Sequence, residues 1–223
     1  MRRVGYPRIQ FRTGLNRASE FPESVLRPPL SINPMLPMTT LRTLLLVLVA
    51  GLVFQVPSAH AQEAVFGEKV VEPGVKFTFI AAPKDDVQPG AQHLAESKTD
   101  IHLEVLANWT EEASTTVGAP TGGFVPYLHL FARVTNERTG QSQKVSLLPH
   151  INLSDNAHYA RNIALPGAPD DPYSVTFSVN PPGEYELATH RDWRAKYGDQ
   201  LLEPLTVTYE ELQLAEVARA TRD

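Results

Sequence analysis

Apolar and polar residues alternate along several short stretches between residues 75 and 209. The clearest alternation lies at 75–80, 101–107 and 173–179. Because successive side chains of a β-strand point to opposite faces, a period of two predicts strands with one buried side. Further extended stretches are predicted at 124–134, 144–148, 184–190 and 205–209.

Turn-forming residues separate these stretches. Residues 136–140 read Asn-Glu-Arg-Thr-Gly, which predicts a turn, and Pro-Pro-Gly at 181–183 ends another strand. Only 191–197 and a polar stretch from residue 210 onward have a helix-like composition. Roughly seven short strands in about 160 residues predict an all-β fold, an immunoglobulin-like antiparallel β-sandwich with extra loops.

The first 61 residues follow a different pattern. Arg42 precedes an apolar run at 44–54, which is followed by Ala-His-Ala at 59–61. A basic residue, a short apolar run and an Ala-x-Ala sequence are typical of a cleavable secretory signal peptide. The run is shorter than the roughly 20 residues that span a bilayer. An uncleaved anchor helix is the alternative.

These features divide the chain into three parts. Residues 1–37 are interpreted as an artefact of the assigned translation start or as a disordered extension, because Met38 (or Met35) is placed where a signal peptide would begin. Residues 38–61 are the predicted signal peptide. Residues 62–223 are predicted to form the exported domain.

Charge and sulfur content narrow the chemistry of that domain. The whole chain has a formal net charge of −5, and residues 1–61 contain seven Arg and two Glu, so the remaining 162 residues carry −10. An acidic domain is not expected to bind nucleic acid. Cysteine is absent, and the three methionines lie at 1, 35 and 38. A metal site in the exported domain would therefore use imidazole, carboxylate, carbonyl or water ligands, and a blue-copper centre is excluded.

One candidate pair of metal ligands lies on a predicted strand. His102 and Glu104 are two residues apart, so both side chains point to the face opposite to Ile101, Leu103 and Val105. This spacing suits two metal ligands. It suits a solvated strand face equally well.

A second candidate pair flanks a predicted turn. His150 and His158 lie on either side of Ser-Asp-Asn at 154–156, and a turn there could direct both imidazoles toward one point. Asp155 could hydrogen-bond the distal nitrogen of a ligating histidine or approach the metal itself. The alternative is a loop in which Asp155 caps its own backbone.

Three more histidines lie in the exported domain. His190 ends a predicted strand and could be a ligand or an edge histidine stacked on Trp193. His129 lies in an apolar context that favours a packed or sheet-surface position. His93 lies in a polar loop, where we expect it to be solvated unless the loop approaches the site.

Together these motifs resemble the periplasmic iron-transport family, whose members accompany high-affinity ferrous-iron permeases in bacteria and have an immunoglobulin-like fold. The resemblance extends from about residue 66 to about residue 209. It rests on the residues at 99–104, 125–128, 154–159, 180–183 and 190.

The resemblance implies a ligand set. Family members bind a divalent metal through three histidines and a methionine, with a Glu and an Asp nearby, and are typically homodimers. The corresponding residues here are His102, His158 and His190, with Glu104 and Asp155 as the acidic pair. The methionine has no counterpart, and His150 is expected to take its place.

The predicted function follows from this resemblance. The protein would bind a divalent metal in the periplasm, Cu²⁺ or Fe²⁺ with Mn²⁺ or Zn²⁺ as further candidates, and deliver iron to an inner-membrane permease. A periplasmic copper-dependent redox protein that oxidises Fe²⁺ is one alternative, so enzymatic activity stays open. A metal-free interaction module is the other.

Overall fold

The structure, a computed structural model, describes residues 63–222. The predicted extension at 1–37 and the predicted signal peptide at 38–61 lie outside the described residues. Within residues 63–222, no helix combines the length and the apolar character needed to cross a bilayer.

The described chain is built mainly from β-strands. Its eight strands are β1 Ala64–Val71, β2 Val75–Pro83, β3 Ile101–Trp109, β4 His129–Asn136, β5 Ser142–Ile151, β6 Ala157–Ile163, β7 Pro172–Asn180 and β8 Leu205–Gln213. The short helices are α1 Gly90–His93, α2 Glu111–Thr116, α3 Arg191–Tyr197 and α4 Ala215–Arg219, with a 3₁₀ turn at Glu96–Lys98.

All strand pairs are antiparallel, in the order β1-β2-β3-β6-β5-β4-β7-β8. Strand β5 belongs to both halves of this order, because its first part pairs with β4 and residues 148–151 pair with β6. The all-β, sandwich-like prediction is therefore confirmed. The site described below lies where β5 changes partner.

Alternating apolar side chains of the two halves meet in one core. Phe79 of β2 packs on Phe177 of β7 with ring centroids 4.8 Å apart, and Phe66 of β1 lies 5.7 Å from Tyr209 of β8. The two ends of the strand order thus approach each other. A side chain at Gly67 would place its Cβ 2.9 Å from the Tyr209 ring, so this contact requires glycine.

Local predictions were confirmed in some places and wrong in others. The turn at 136–140 and the helix at 191–197 are present. Residues 184–190 form no strand; they follow two prolines, which cannot donate to a sheet, and the Glu186 carboxylate accepts a hydrogen bond from the Gly183 amide instead. The stretch after residue 210 continues β8 to Gln213 before α4 begins.

Candidate metal centre

The β5–β6 hairpin places two histidines side by side. His150 and His158 are direct partners across the antiparallel pair, and their ring centroids lie 5.9 Å apart. The connecting turn is closed by Asn152, whose side-chain oxygen accepts from the Asp155 amide, and by Asn156 with a positive φ of 61°. The predicted convergence of the two imidazoles by a turn is therefore what the structure shows.

A third histidine comes from the neighbouring strand. Strand β3 pairs with β6, and its His102 ring centroid lies 5.4 Å from that of His150. One ring nitrogen from each of His102, His150 and His158 lies within 4.8 Å of the others. We call these three residues the histidine cluster.

Hydrogen bonds fix the orientation of two of the three rings. The side-chain amide nitrogen of Asn162 donates a hydrogen bond to the Asp85 carbonyl at 2.6 Å. Its side-chain oxygen therefore faces His102 and accepts a hydrogen bond from Nδ1 of that ring at 2.7 Å. The Nδ1 of His158 donates to the Asn156 carbonyl at 3.0 Å. A neutral imidazole that donates from Nδ1 has its lone pair on Nε2, which is then free to bind a metal.

His93 is an additional histidine at the cluster. Its Nδ1 lies 2.8 Å from Nε2 of His150, and the side chain is buried. Of the two alternatives left open for His93, the structure shows the loop approaching the site and not a solvated side chain, because α1 folds the loop over the cluster. No local pattern around His93 indicates this contact, which depends on the path of the chain between β2 and β3.

Burial favours the neutral form of two histidines of the cluster. It is the largest cause that lowers the pKa of His102 to about 4; Arg222 and the neighbouring imidazoles act in the same direction, and the Asn162 hydrogen bond opposes the shift. Burial and the adjacent histidines lower the pKa of His150 to about 3. Metal ligation needs neutral imidazole, so these two side chains are in the binding form at neutral pH.

Glu104 lies beside the cluster and is fully buried. His102 and Glu104 do share one face, but they are 1% and 0% exposed, so the alternative of a solvated strand face is wrong. One carboxylate oxygen, Oε1, lies 3.7 Å from Nε2 of His102 and accepts from Arg222 at 2.6 Å. The other, Oε2, is buried without a partner. Burial raises the pKa of Glu104 to about 7, although Arg222 opposes the shift.

Asp155 and His190 are not in the histidine cluster of the single chain. The Asp155 carboxylate accepts hydrogen bonds from the side chains of Asn152 and Ser154 within the turn. The hydrogen bond from His158 Nδ1, which Asp155 was expected to accept, goes to the Asn156 carbonyl instead. His190 is the residue before α3 and lines a separate cavity with Trp193.

Of the two remaining predictions, the one for Trp193 differs from the structure and the one for His129 agrees with it. Trp193 packs on Tyr197, with ring centroids 4.9 Å apart. His129, at the start of β4, is exposed and lies 2.6 Å from Glu186, in agreement with a sheet-surface position.

The cluster faces a solvent-accessible cavity of about 530 Å³. Its lining combines the four histidines with polar groups of the loop after β2 and of the β5–β6 turn: Asp85, Asp86, Gln88 and Asn152. Neutral imidazoles around such a cavity can bind copper, zinc or iron and leave coordination positions for water or a further ligand.

The sequence of the folded domain matches a known family. Residues 60–215 match the family model described as Fe²⁺ transport protein. The chain belongs to this family. The resemblance inferred from the motifs is thereby confirmed.

Relatives and solved structures agree with the family assignment. A UPF0423 protein of Brucella abortus is 26% identical over 155 residues, which is 68% of this chain and 82% of the relative. The copper-reconstituted P19 protein of Campylobacter jejuni has a similar structure, with a TM-score of 0.55, 26% identity, and coverage of 67% of this chain and 94% of P19. FetP of uropathogenic Escherichia coli strain F11, expressed in the periplasm for its structure, gives a TM-score of 0.53 at 26% identity, covering 67% of this chain and 95% of FetP.

Proposed function

We propose that this protein binds a divalent metal at His102, His150 and His158 and acts in periplasmic iron uptake. The observation that carries the proposal is the convergence of three imidazole nitrogens within 4.8 Å, on three paired strands. The family assignment supports the link to iron, and the copper-reconstituted relative supports metal binding. The predicted signal peptide and the periplasmic expression of FetP support the location.

The ligand set favours Cu²⁺ and leaves Fe²⁺, Mn²⁺ and Zn²⁺ accessible. Imidazole binds all four, and for a fixed site the affinity is expected to be highest for Cu²⁺. Asp155 adds negative charge near His158, which favours the harder Fe²⁺ and Mn²⁺, whereas the Glu104 side chain is paired with Arg222. We propose that iron is the cargo and that an inner-membrane permease receives it.

His190 would complete the site only from a second subunit. Within one described chain it lies in a different cavity from the histidine cluster. Three large apolar side chains are exposed. They are Ile151 and Leu153 at the tip of the β5–β6 hairpin, and Tyr185, which is close to His190 in sequence. A homodimer that covers these side chains is consistent with the predicted oligomeric state.

Substitution of His158 tests the metal site. His158→Ala should abolish stoichiometric binding of Cu²⁺ and Zn²⁺, measured by equilibrium dialysis with elemental analysis, and should also abolish the thermal stabilisation by metal. Binding at a hundredfold excess over Kd stabilises the folded state by about 2.7 kcal/mol. His129→Ala removes an exposed histidine outside the cluster and is the matched control. An unchanged metal content in His158→Ala would refute the site.

Mixed dimers test the position of His190. If His190 acts across the interface, a dimer of one His158→Ala chain and one His190→Ala chain retains one complete site. Metal binding should then recover in the mixture but in neither variant alone. A mixture that binds no more metal than its parts would exclude a ligand shared between subunits.

A further inference from the structure

The guanidinium of Arg222 is half-buried beside the proposed metal site. Arg222 follows α4, and its side chain is only 22% exposed. It donates to Glu104 Oε1 at 2.6 Å, to Asp85 Oδ2 at 3.1 Å and to the Pro83 carbonyl at 3.2 Å. These acceptors hold a permanent positive charge beside the histidine cluster, because a guanidinium stays protonated in proteins.

Arg222 and a metal would compete for the same carboxylate. Glu104 Oε1 is the oxygen that accepts from Arg222, and it is also the one that lies 3.7 Å from Nε2 of His102. The second oxygen, Oε2, is buried with no hydrogen-bond partner. The Glu104 oxygen nearest to His102 is therefore the one that Arg222 occupies, and the other oxygen accepts no hydrogen bond.

From this geometry we infer that Arg222 is a specificity-determining residue that occupies Glu104 and so restricts its use by a metal ion. This inference rests on the proposed metal site. With Glu104 held by Arg222, the cluster offers imidazole ligands alone, which suit Cu²⁺ and Zn²⁺. A carboxylate released from Arg222 would add a hard anionic oxygen, which benefits Mn²⁺ and Fe²⁺ more.

The inference predicts a change in selectivity when the charge of Arg222 is removed. Arg222→Met should lower the Kd for Mn²⁺ about tenfold or more, because a fixed positive charge is lost next to a dication and a carboxylate becomes available. The Kd for Zn²⁺ should fall by a smaller factor. The measurement is a titration of each metal alone against the full folded protein, by competition with a chelating indicator.

Other variants separate charge from packing. Arg222→Lys keeps the charge and should retain the wild-type ratio of the two Kd values. Arg222→Gln removes the charge but keeps a weaker, neutral donor for Glu104. It should shift the ratio in the same direction as Arg222→Met but by a smaller factor, and it provides the test if the Met variant folds poorly. Arg219→Met removes another arginine of the same segment, one that pairs with Asp170 away from the cavity, and should leave both Kd values unchanged.

A double variant tests whether the effect passes through Glu104. In the Glu104→Gln background, Arg222→Met should change the Kd for Mn²⁺ and the Kd for Zn²⁺ by the same factor, because there is no carboxylate for the substitution to release. A wild-type ratio in folded Arg222→Met and Arg222→Gln, or an equal gain for both metals in these single variants, would overturn the inference. Failure of the wild type to bind Zn²⁺ at all would instead overturn the proposed function.

Discussion

Two buried polar networks lie in different parts of this molecule, and they differ in how completely their atoms are paired. The first surrounds Asp171, between the β4–β5 turn and the start of β7. Its carboxylate accepts from Arg138, from Asn136 at 2.7 Å and from the Ala168 amide. The side-chain oxygen of Asn136 accepts two backbone amides of the turn. Arg138 lowers the pKa of Asp171, which stays ionised.

The second network is the histidine cluster with Glu104. Here Oε2 of Glu104 has no partner, and the lone pairs on Nε2 of His102 and His158 face a cavity rather than a donor. Buried polar groups without partners cost free energy of folding, and a bound ligand can supply the missing partner. The paired network around Asp171 is therefore structural, whereas the incompletely paired one is the candidate for binding.

The largest expected effect is on the free energy of unfolding, when the network around Asp171 is disrupted and the histidine cluster is left intact. Asn136→Ala removes a fully buried side chain that bonds Asp171 and two turn amides. We expect a loss of about 3 kcal/mol in the free energy of unfolding, because several buried groups lose their partner together. Metal affinity of the folded variant should stay unchanged.

Urea unfolding in the presence of chelator measures that loss. Thr139→Ala, which changes an exposed position of the same turn, is the control and should stay close to wild type. If Asn136→Ala weakened metal binding while leaving stability intact, the division between a structural and a binding network would be wrong.

The next effect concerns the residue that orients His102. Asn162→Leu removes the acceptor of the His102 Nδ1 proton, and loss of such an outer hydrogen bond typically costs 10–100-fold in metal affinity. Asn162→Asp retains an acceptor for His102 and should keep more of the affinity than the Leu variant. Isothermal titration with Zn²⁺ measures both. Equal losses in the two variants would mean that Asn162 acts only by supporting the loop at Asp85.

The fold could be predicted from alternation where each strand has one apolar face, as in β2, β3 and β7. Strand β6 was not predicted, because Arg161 interrupts its apolar face of Tyr159 and Ile163. Its other face is also buried but carries the polar side chains of His158 and Asn162, so burial there does not follow the apolar pattern. Segment 184–190 shows the opposite error, since its alternation suggests a strand that the sheet does not include.

The candidate site was predictable only as far as its motifs are local. His150 and His158 are linked by a turn with recognisable residues, so their convergence could be inferred. His93 and Arg222 reach the cluster from the β2–β3 loop and from beyond α4, through contacts between residues far apart in the chain. No spacing rule connects such positions, and neither residue lies in the sequence motifs on which the resemblance to the family was inferred.

The smallest expected effect is in the pH dependence of metal-free stability. The pKa of His102 is lowered, so its contribution is complete above about pH 6.5 and is lost as the pH falls toward 4. Glu104 has a raised pKa, so its contribution is complete below about pH 4.5 and is lost as the pH rises toward 7. The two trends oppose each other between pH 4.5 and 6.5.

Glu104→Gln removes one of them, and the variant should lose stability more steeply on acidification than the wild type, by about 1–2 kcal/mol. Unfolding by urea with chelator, at several pH values across this range, measures the difference. Glu186→Gln, at an exposed carboxylate paired with His129, should follow the wild-type profile. Parallel profiles for Glu104→Gln and wild type would show that burial does not raise the pKa of Glu104 in the empty cluster, and the contrast between the two networks would then rest on the histidines alone.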